Sequence, residues 1–229
     1  MTPTGFAVAI DGPGGVGKST TARQVAARLN MTYIDTGAMY RAVALYNLRQ
    51  GTPPQNQAAV IASLPHINIT LKNQQIYLNG EDVTTHIRTQ AISDATSVMA
   101  SYAPVREKLV ALQKNLAKTG EIVMDGRDIA THVLPWAQVK IYLDASIEVR
   151  AQRRALDLAA KGQPADIIKI REEIAARDHR DKNREHSPLV EAPGAIRIET
   201  SNMTKEEVIE HIIKHVQLAA NAFATARRP

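Results

Sequence analysis

Gly12-Pro13-Gly14-Gly15-Val16-Gly17-Lys18-Ser19 matches the pattern G-x-x-x-x-G-K-[ST], directly after Phe6-Ala7-Val8-Ala9-Ile10, an apolar run of strand length. A random chain of this size would carry the pattern roughly once in a hundred cases. Only backbone that comes very close can wrap a polyphosphate with several N–H groups, and side chains at Gly12, Gly14, Gly15 and Gly17 would obstruct that approach. Lys18 adds a mobile positive charge for β- and γ-phosphates, and Ser19 offers a hydroxyl to Mg²⁺. The helix expected from Ser19 to Leu29 turns its N-terminal dipole toward the same anion. Nucleoside triphosphate binding is therefore the starting expectation.

A chain of 229 residues that is 44% hydrophobic can bury one sizeable core, so a single α/β domain with an insertion is the simplest count. The absence of cysteine excludes disulfides and thiolate metal sites and is compatible with a reducing cytosol. No apolar run approaches the roughly 18 to 20 residues of a membrane span, and the first residues read as strand and loop instead of an export signal. The expectation is a cytoplasmic protein with no membrane partner. A net charge of +5 is compatible with nucleic acid, yet Lys and Arg are dispersed among acids except in two later helices, which favours small anionic substrates over a polymer.

In chain order, Met31-Thr32-Tyr33-Ile34-Asp35 reads as a second strand and Thr36 to Gln50 as a helix, a βαβα opening that points to a parallel sheet. Arg41 is placed in the first turn of that helix, where a cation opposes the dipole unless an anion sits beside it. Prolines break the pattern between Gly51 and Gln57. From His66, alternation at Ile67, Ile69, Leu71, Ile76 and Leu78, with turns at Lys72-Asn73-Gln74-Gln75 and Asn79-Gly80, predicts a small antiparallel patch. Helices are expected over Ile87–Ala100 and Val105–Lys118. Strands follow at Ile122–Met124, Val139–Leu143 and Ala195–Ile198. The third strand runs into Asp125-Gly126-Arg127-Asp128, a charge cluster at the strand edge where open parallel sheets bind ligands. A capping box from Thr204 to Glu207 opens a last helix with an apolar face at Val208, Ile209, Ile212, Ile213 and Val216.

Arg150, Arg153 and Arg154 share one helix face, and Arg177, Asp181 and Arg184 another, with Lys161-Gly162-Gln163-Pro164 as a joint between the two helices. That pair reads either as a lid over phosphates or as solvated helices held by ion pairs. The histidines at 66, 86, 132, 179, 186, 211 and 215 show no metal-ligand spacing. No general base stands out. None is required for transfer to a phosphate monoester, whose second pKa of ~6 leaves it mostly dianionic near neutral pH.

Taken together, the sequence resembles bacterial-type cytidylate kinases over nearly its whole length. The resemblance is carried by Ala9 through Thr20, Asp35-Thr36-Gly37-Ala38-Met39-Tyr40-Arg41, Ile87-Arg88-Thr89, Val105-Arg106, Asp125-Gly126-Arg127-Asp128, Tyr142-Leu143-Asp144-Ala145, and Arg177-Asp178-His179-Arg180-Asp181 through Arg184. It implies a P-loop NTPase fold over 1–229: a five-stranded parallel sheet flanked by helices, a small antiparallel insertion at 63–90 beside the monophosphate site, and a helical lid at about 150–185. It implies phosphoryl transfer from ATP, with Mg²⁺, to CMP and dCMP by a monomer.

By the same resemblance, Gly12, Pro13, Gly14, Gly15, Val16, Gly17, Lys18, Ser19 and Thr20 hold ATP, and Ser19 is the metal ligand. Lys18, Arg127 and Arg184 are the catalytic residues, with Arg41, Arg127 and Arg184 gripping the acceptor phosphate. Arg177 and Asp181 meet the sugar and nearby phosphate, Thr36 and Tyr40 line the nucleotide, and Ser97, Arg106 and Asp128 read cytosine. Lys182 and Ser187-Pro188-Leu189 depart from the family's usual residues, which bears on lid behaviour alone. The alternatives are a kinase for UMP or a sugar acid, a nucleotide switch, and an RNA-binding module. The chain has no Asn-Lys-x-Asp guanine-reading motif, and its aromatics amount to only 4%, too few for a row of base-stacking platforms.

Overall fold

Five short apolar runs become the strands β1 (Ala7–Asp11), β2 (Thr32–Asp35), β6 (Ile122–Asp125), β7 (Val139–Asp144) and β8 (Ile196–Glu199) of one sheet, ordered β2-β6-β1-β7-β8. All pairs are parallel. The computed structural model describes residues 5–72, 74–118, 120–160 and 162–226. The central strands are buried along their length, as expected where helices cover both faces. β1, β2, β6 and β7 each end in an aspartate, so Asp11, Asp35, Asp125 and Asp144 fall along one edge, with Asp35 and Asp125 register partners.

Helix α1 (Lys18–Arg28) and the C-terminal α8 (Lys205–Ala226) close one face. Val25, Ala26, Val208, Ile209, Ile212 and Val216 pack there against Val8, Ile10, Ile141 and Leu143. The expected capping box holds: Thr204 N donates to Glu207 at 2.7 Å, and Glu207 N donates to the Thr204 hydroxyl at 3.2 Å. Behind the sheet, Ala7, Ala9, Ile34 and Met124 meet Ile129, Val133 and Leu134, which belong to a short π-helical stretch, Ile129–Val133, and the residue after it.

A further core joins α2 (Thr36–Arg49), α3 (Gln57–Ser63), the antiparallel β3 (Ile69–Lys72) and β4 (Gln75–Leu78), and the helices α4 (Gln90–Met99) and α5 (Ala103–Leu116), while the exposed β5 (Glu81–Asp82) pairs with β4. Ile69, Ile76, Leu78, Val83 and Ile87 of the insertion share it with Met39 and Val43 of α2, so the patch is part of the interior and not surface decoration. Of the expected turn at 72–75, Asn73 lies outside the described residues. The helix expected over Ile87–Ala100 is split: a 3-10 turn covers His86–Arg88, and Thr89 caps α4 through Ile92 N at 3.3 Å. α3 was not anticipated; only Val60 in it is buried, which leaves no periodic apolar face to detect. The last pair, α6 (Ile147–Ala159) and α7 (Ile167–Asn183), packs as a hairpin over the sheet edge; Lys161 of its expected joint lies outside the described residues.

Candidate active site

The phosphate loop is shaped by backbone that other residues resist. Gly12 has φ +146°, and a Cβ there would come within 2.1 Å of the Leu143 carbonyl oxygen; Gly17, at φ +91°, turns the chain into α1. No side chain caps α1, so its first N–H groups are left for an anion. Val16 anchors the loop in the core, while Thr20 is exposed in the first turn. Lys18 is 5% exposed, and its Nζ donates to the Pro13 carbonyl at 2.6 Å. Burial first, then the neighbouring Arg127 and Arg177, pulls its pKa well down against the opposing pull of Asp125 and Asp11.

Ser19 donates to Asp125 Oδ2 at 2.7 Å, and the Tyr33 hydroxyl donates to Asp125 Oδ1 at 2.8 Å. Thr36 donates to the Asp125 main-chain carbonyl at 2.6 Å. Burial, together with the charge of Asp35, raises the Asp125 carboxyl, while the Ser19 hydroxyl and Lys18 oppose that rise. A hydroxyl and a carboxylate beside a phosphate loop form the all-oxygen donor set that suits Mg²⁺ carried on a nucleotide.

Across the cleft, Asp35 is the N-cap of α2. Its carboxylate accepts from Ala38 N at 2.8 Å, from Arg41 Nη2 at 3.1 Å to each oxygen, and from Arg88 Nη2 at 3.0 Å. Arg41 lies in the second turn of the helix, not the first, and the anion that offsets its placement is the helix's own cap. Asp35 is held below the ordinary carboxylate range: burial would raise it, but Arg41 and Arg88 outweigh that.

Arg127 Nε donates to Asp181 Oδ2 at 2.9 Å, with Arg177 Nε 4.0 Å from the same oxygen, and both guanidiniums lie over Gly14. Asp128 pairs with Arg106 Nη2 through one oxygen and lies 3.6 Å from Arg184 Nη2 through the other, so it engages these arginines and not Arg127. Arg184 is the first residue beyond α7, and its Nε donates to the Ser187 carbonyl at 2.7 Å. The Arg106 guanidinium lies 5.5 Å from the centre of the Tyr40 ring, and Ser97 on α4 accepts from Arg180 Nε at 3.0 Å.

This cleft is short of acceptors. Arg41 Nε, Arg106 Nε, Arg177 Nε and Arg184 Nη2 are buried and make no hydrogen bond. Such orphans are rare in native interiors and costly to keep. Burial, with Arg127 and Arg41 next, lowers Arg177 to about 10; burial and like charge also lower Arg41 and Arg184. Arg127 is the exception, because Asp181, Asp125 and Asp178 more than offset its burial. An anionic ligand would satisfy those donors and raise the lowered pKa values again.

Arg150, Arg153 and Arg154 do not act as one face. Arg150 is buried: Nη1 donates to Asp178 at 2.5 Å and to the Gly14 carbonyl at 3.2 Å, and Nε donates to the Ala145 carbonyl at 3.0 Å. Arg153 grips the Thr200 carbonyl at 2.6 Å, and Arg154 reaches Gln90 at 2.8 Å. Sequence reasoning missed Arg88, Asp35 and Arg180 as members of the site. All three lie inside the motifs already quoted, but the reach of Arg180 to Ser97, 83 residues away in sequence, leaves no local signal. Among the described residues, no cluster of three or more His, Asp or Glu is placed to hold a metal ion, and no helix is long and apolar enough to cross a membrane.

Comparison with known proteins gives the family. A family model described as cytidylate kinase matches residues 8–218. The cytidylate kinase of Geobacillus kaustophilus (strain HTA426) is 48% identical over 215 residues, covering 92% of this chain and 96% of its own. That of Bacillus licheniformis is 45% identical over 218 residues, covering 93% and 96%. Among solved structures, a gluconokinase from Sinorhizobium meliloti 1021 superposes with a TM-score of 0.51 at 12% identity, covering 97% of this chain and 98% of its own, a likeness of fold alone. With these relatives along almost its whole length, and a phosphate loop beside arginines that each keep a buried nitrogen without an acceptor, the chain belongs to the cytidylate kinase family.

Proposed function

We propose that this chain transfers the γ-phosphate of ATP to the phosphate of CMP or dCMP. The observation that carries the reading is the set of buried arginine nitrogens without acceptors, set beside a phosphate loop whose lysine donates to the Pro13 carbonyl. ATP lies in the loop from Gly12 to Thr20, and Lys18 leaves Pro13 for the transferring group. Arg41, Arg127 and Arg184 take the acceptor phosphate. Arg177 and Asp181 meet the sugar and the phosphates beside it, with Thr36 and Tyr40 along the nucleotide.

An acceptor oxygen attacks the γ-phosphorus as the bond to the β–γ bridging oxygen breaks, and the electron pair leaves on ADP. No side chain needs to remove a proton, because the acceptor is already mostly dianionic near neutral pH. Ser19, with Asp125 behind it, would hold Mg²⁺, which supplies charge neutralisation between the phosphates when bound. The residues from about 150 to 185 close over this cleft as a lid, and the protein works as a cytoplasmic monomer on small nucleotides, without a nucleic-acid or membrane partner.

Ser97, Arg106 and Asp128 read the base. Cytosine offers an N4 donor where uracil offers an acceptor, so an Asp128 carboxylate accepts from the first and repels the second. Leaving such a pair mismatched costs about 1 to 3 kcal/mol, roughly ten- to a hundredfold against UMP. The test is an ADP-coupled assay on a panel of nucleoside monophosphates. CMP and dCMP are expected to exceed UMP, and Asp128→Ala to narrow that ratio. UMP turned over faster than CMP would refute the assignment, and an unchanged ratio in the variant would remove the selector role of Asp128.

A further inference from the structure

Asp11 ends β1, one residue before the phosphate loop, and is 2% exposed. Its carboxylate does not turn toward the loop. Oδ1 accepts from Ile129 N at 2.9 Å and Oδ2 from Ala130 N at 2.8 Å, across more than a hundred residues of sequence. These are the first amides of the π-helical stretch that follows Arg127 and Asp128, and Asp128 stands at its N-cap.

An aspartate at an N-cap ordinarily spends its carboxylate on the amides of the turn that it precedes. Asp128 makes no such bond. With the Ile129 and Ala130 amides taken by Asp11, the Asp128 carboxylate engages Arg106 and Arg184 instead. We propose that Asp11 is a positioning residue: by capping the 129–133 turn from the neighbouring strand, it locks the Arg127–Asp128 segment to the phosphate loop and frees Asp128 to select the acceptor base. The selectivity half of this inference rests on the reading of Asp128 given above; the structural half does not.

Both carboxylate oxygens are engaged, so Asp11→Asn is the discriminating change. Its amide carbonyl keeps one bond and turns an NH₂ group toward the other N–H. Three readouts are measured on the full chain. Amide hydrogen exchange at Ile129 and Ala130 is expected to quicken at least about tenfold while Val8, Ala9 and Ile10 stay protected. The CMP-over-UMP ratio of kcat/KM is expected to fall about tenfold, within the range that one mismatched polar contact supports. KM for ATP stays within about twofold. In an Asp128→Ala background, Asp11→Asn is expected to leave the ratio unchanged, because the two act in series.

Unchanged exchange at Ile129 and Ala130 would overturn the clamp. An unchanged ratio in Asp11→Asn, with Asp128→Ala narrowing it, would overturn its role in selectivity. If Asp128→Ala leaves the ratio intact, the base-reading assignment falls instead, and the selectivity half falls with it.

Should the variant not fold, the wild-type chain gives the answer. Burial, opposed by the two amides, brings the Asp11 carboxyl up to about 6, with Asp128 and Lys18 as the charges that face it. Protection of Ile129 and Ala130, corrected for intrinsic rates and compared with the β1 amides, is expected to drop between pH 7.5 and pH 5. Ile129 and Ala130 amides that exchange at pH 7.5 as freely as exposed ones would contradict the clamp.

Discussion

At the scale of single residues, aspartates decide the electrostatics of this cleft, and similar burial gives them opposite pKa shifts. Asp35 and Asp181 are held below the ordinary carboxylate range because guanidiniums outweigh their burial. Asp11 has amides and one facing cation, and burial wins, bringing it to about 6 from 3.8. Between those two values the folded chain keeps a proton that the unfolded chain has released, so this group makes stability fall as pH rises. The expected outcome is measurable by urea unfolding of wild type and Asp11→Asn in parallel, which cancels the other titrating groups. From pH 4.5 to 7 the stability of wild type relative to the variant should fall by about 2 kcal/mol. A constant or rising difference would mean that Asp11 titrates near its ordinary value. For Asp35 and Asp181 the sign reverses: their contribution is present above the unfolded pKa and is lost as pH falls through the depressed folded value.

At the scale of elements, Arg150 is the strut between the α6–α7 hairpin and the phosphate loop, since one guanidinium spans Asp178, the Gly14 carbonyl and the Ala145 carbonyl. Arg150→Met removes the cation and leaves the Asp178 carboxylate buried without it, a change that should cost about 3 kcal/mol in urea unfolding and raise KM for ATP. A variant as stable as the parent would show that the hairpin is held elsewhere. The strut also marks where sequence reading stops. β1 and β6 were legible because unbroken apolar runs of strand length have few other fates, β7 because its run is interrupted by Lys140 alone, and α8 because capping box and apolar stripe coincide. Helix spacing placed Arg150, Arg153 and Arg154 on one face but could not separate a guanidinium buried under Gly14 from one on Thr200 or Gln90, since those partners come from distant chain. The same limit hid the break at Thr89: Arg88 turns onto Asp35, and no propensity near position 88 records that. It also hid the capping of Ile129 and Ala130 by Asp11.

At the scale of the whole molecule, two bodies of packing meet at the cleft. The sheet core carries the phosphate loop and the Asp125–Asp128 segment on its strand ends. The core of α2 to α5 with the antiparallel insertion carries Tyr40, Arg41, Ser97 and Arg106. The family motifs were legible as a group because they lie along the edges of these two bodies, but the unpaired guanidinium nitrogens that make the cleft want an anion appear only in the folded arrangement. In the proposed complex a continuous line of phosphates spans from the loop to these arginines. Its most direct test is a crystal structure with adenosine and cytidine joined by a pentaphosphate. Lys18 is expected to move from Pro13 onto the phosphates, with Arg41, Arg127 and Arg184 on the cytidine end of the chain and the cytosine N4 group on Asp128. Density with the cytidine half away from Ser97, Arg106 and Asp128, or with no phosphate on Arg41, Arg127 and Arg184, would contradict it.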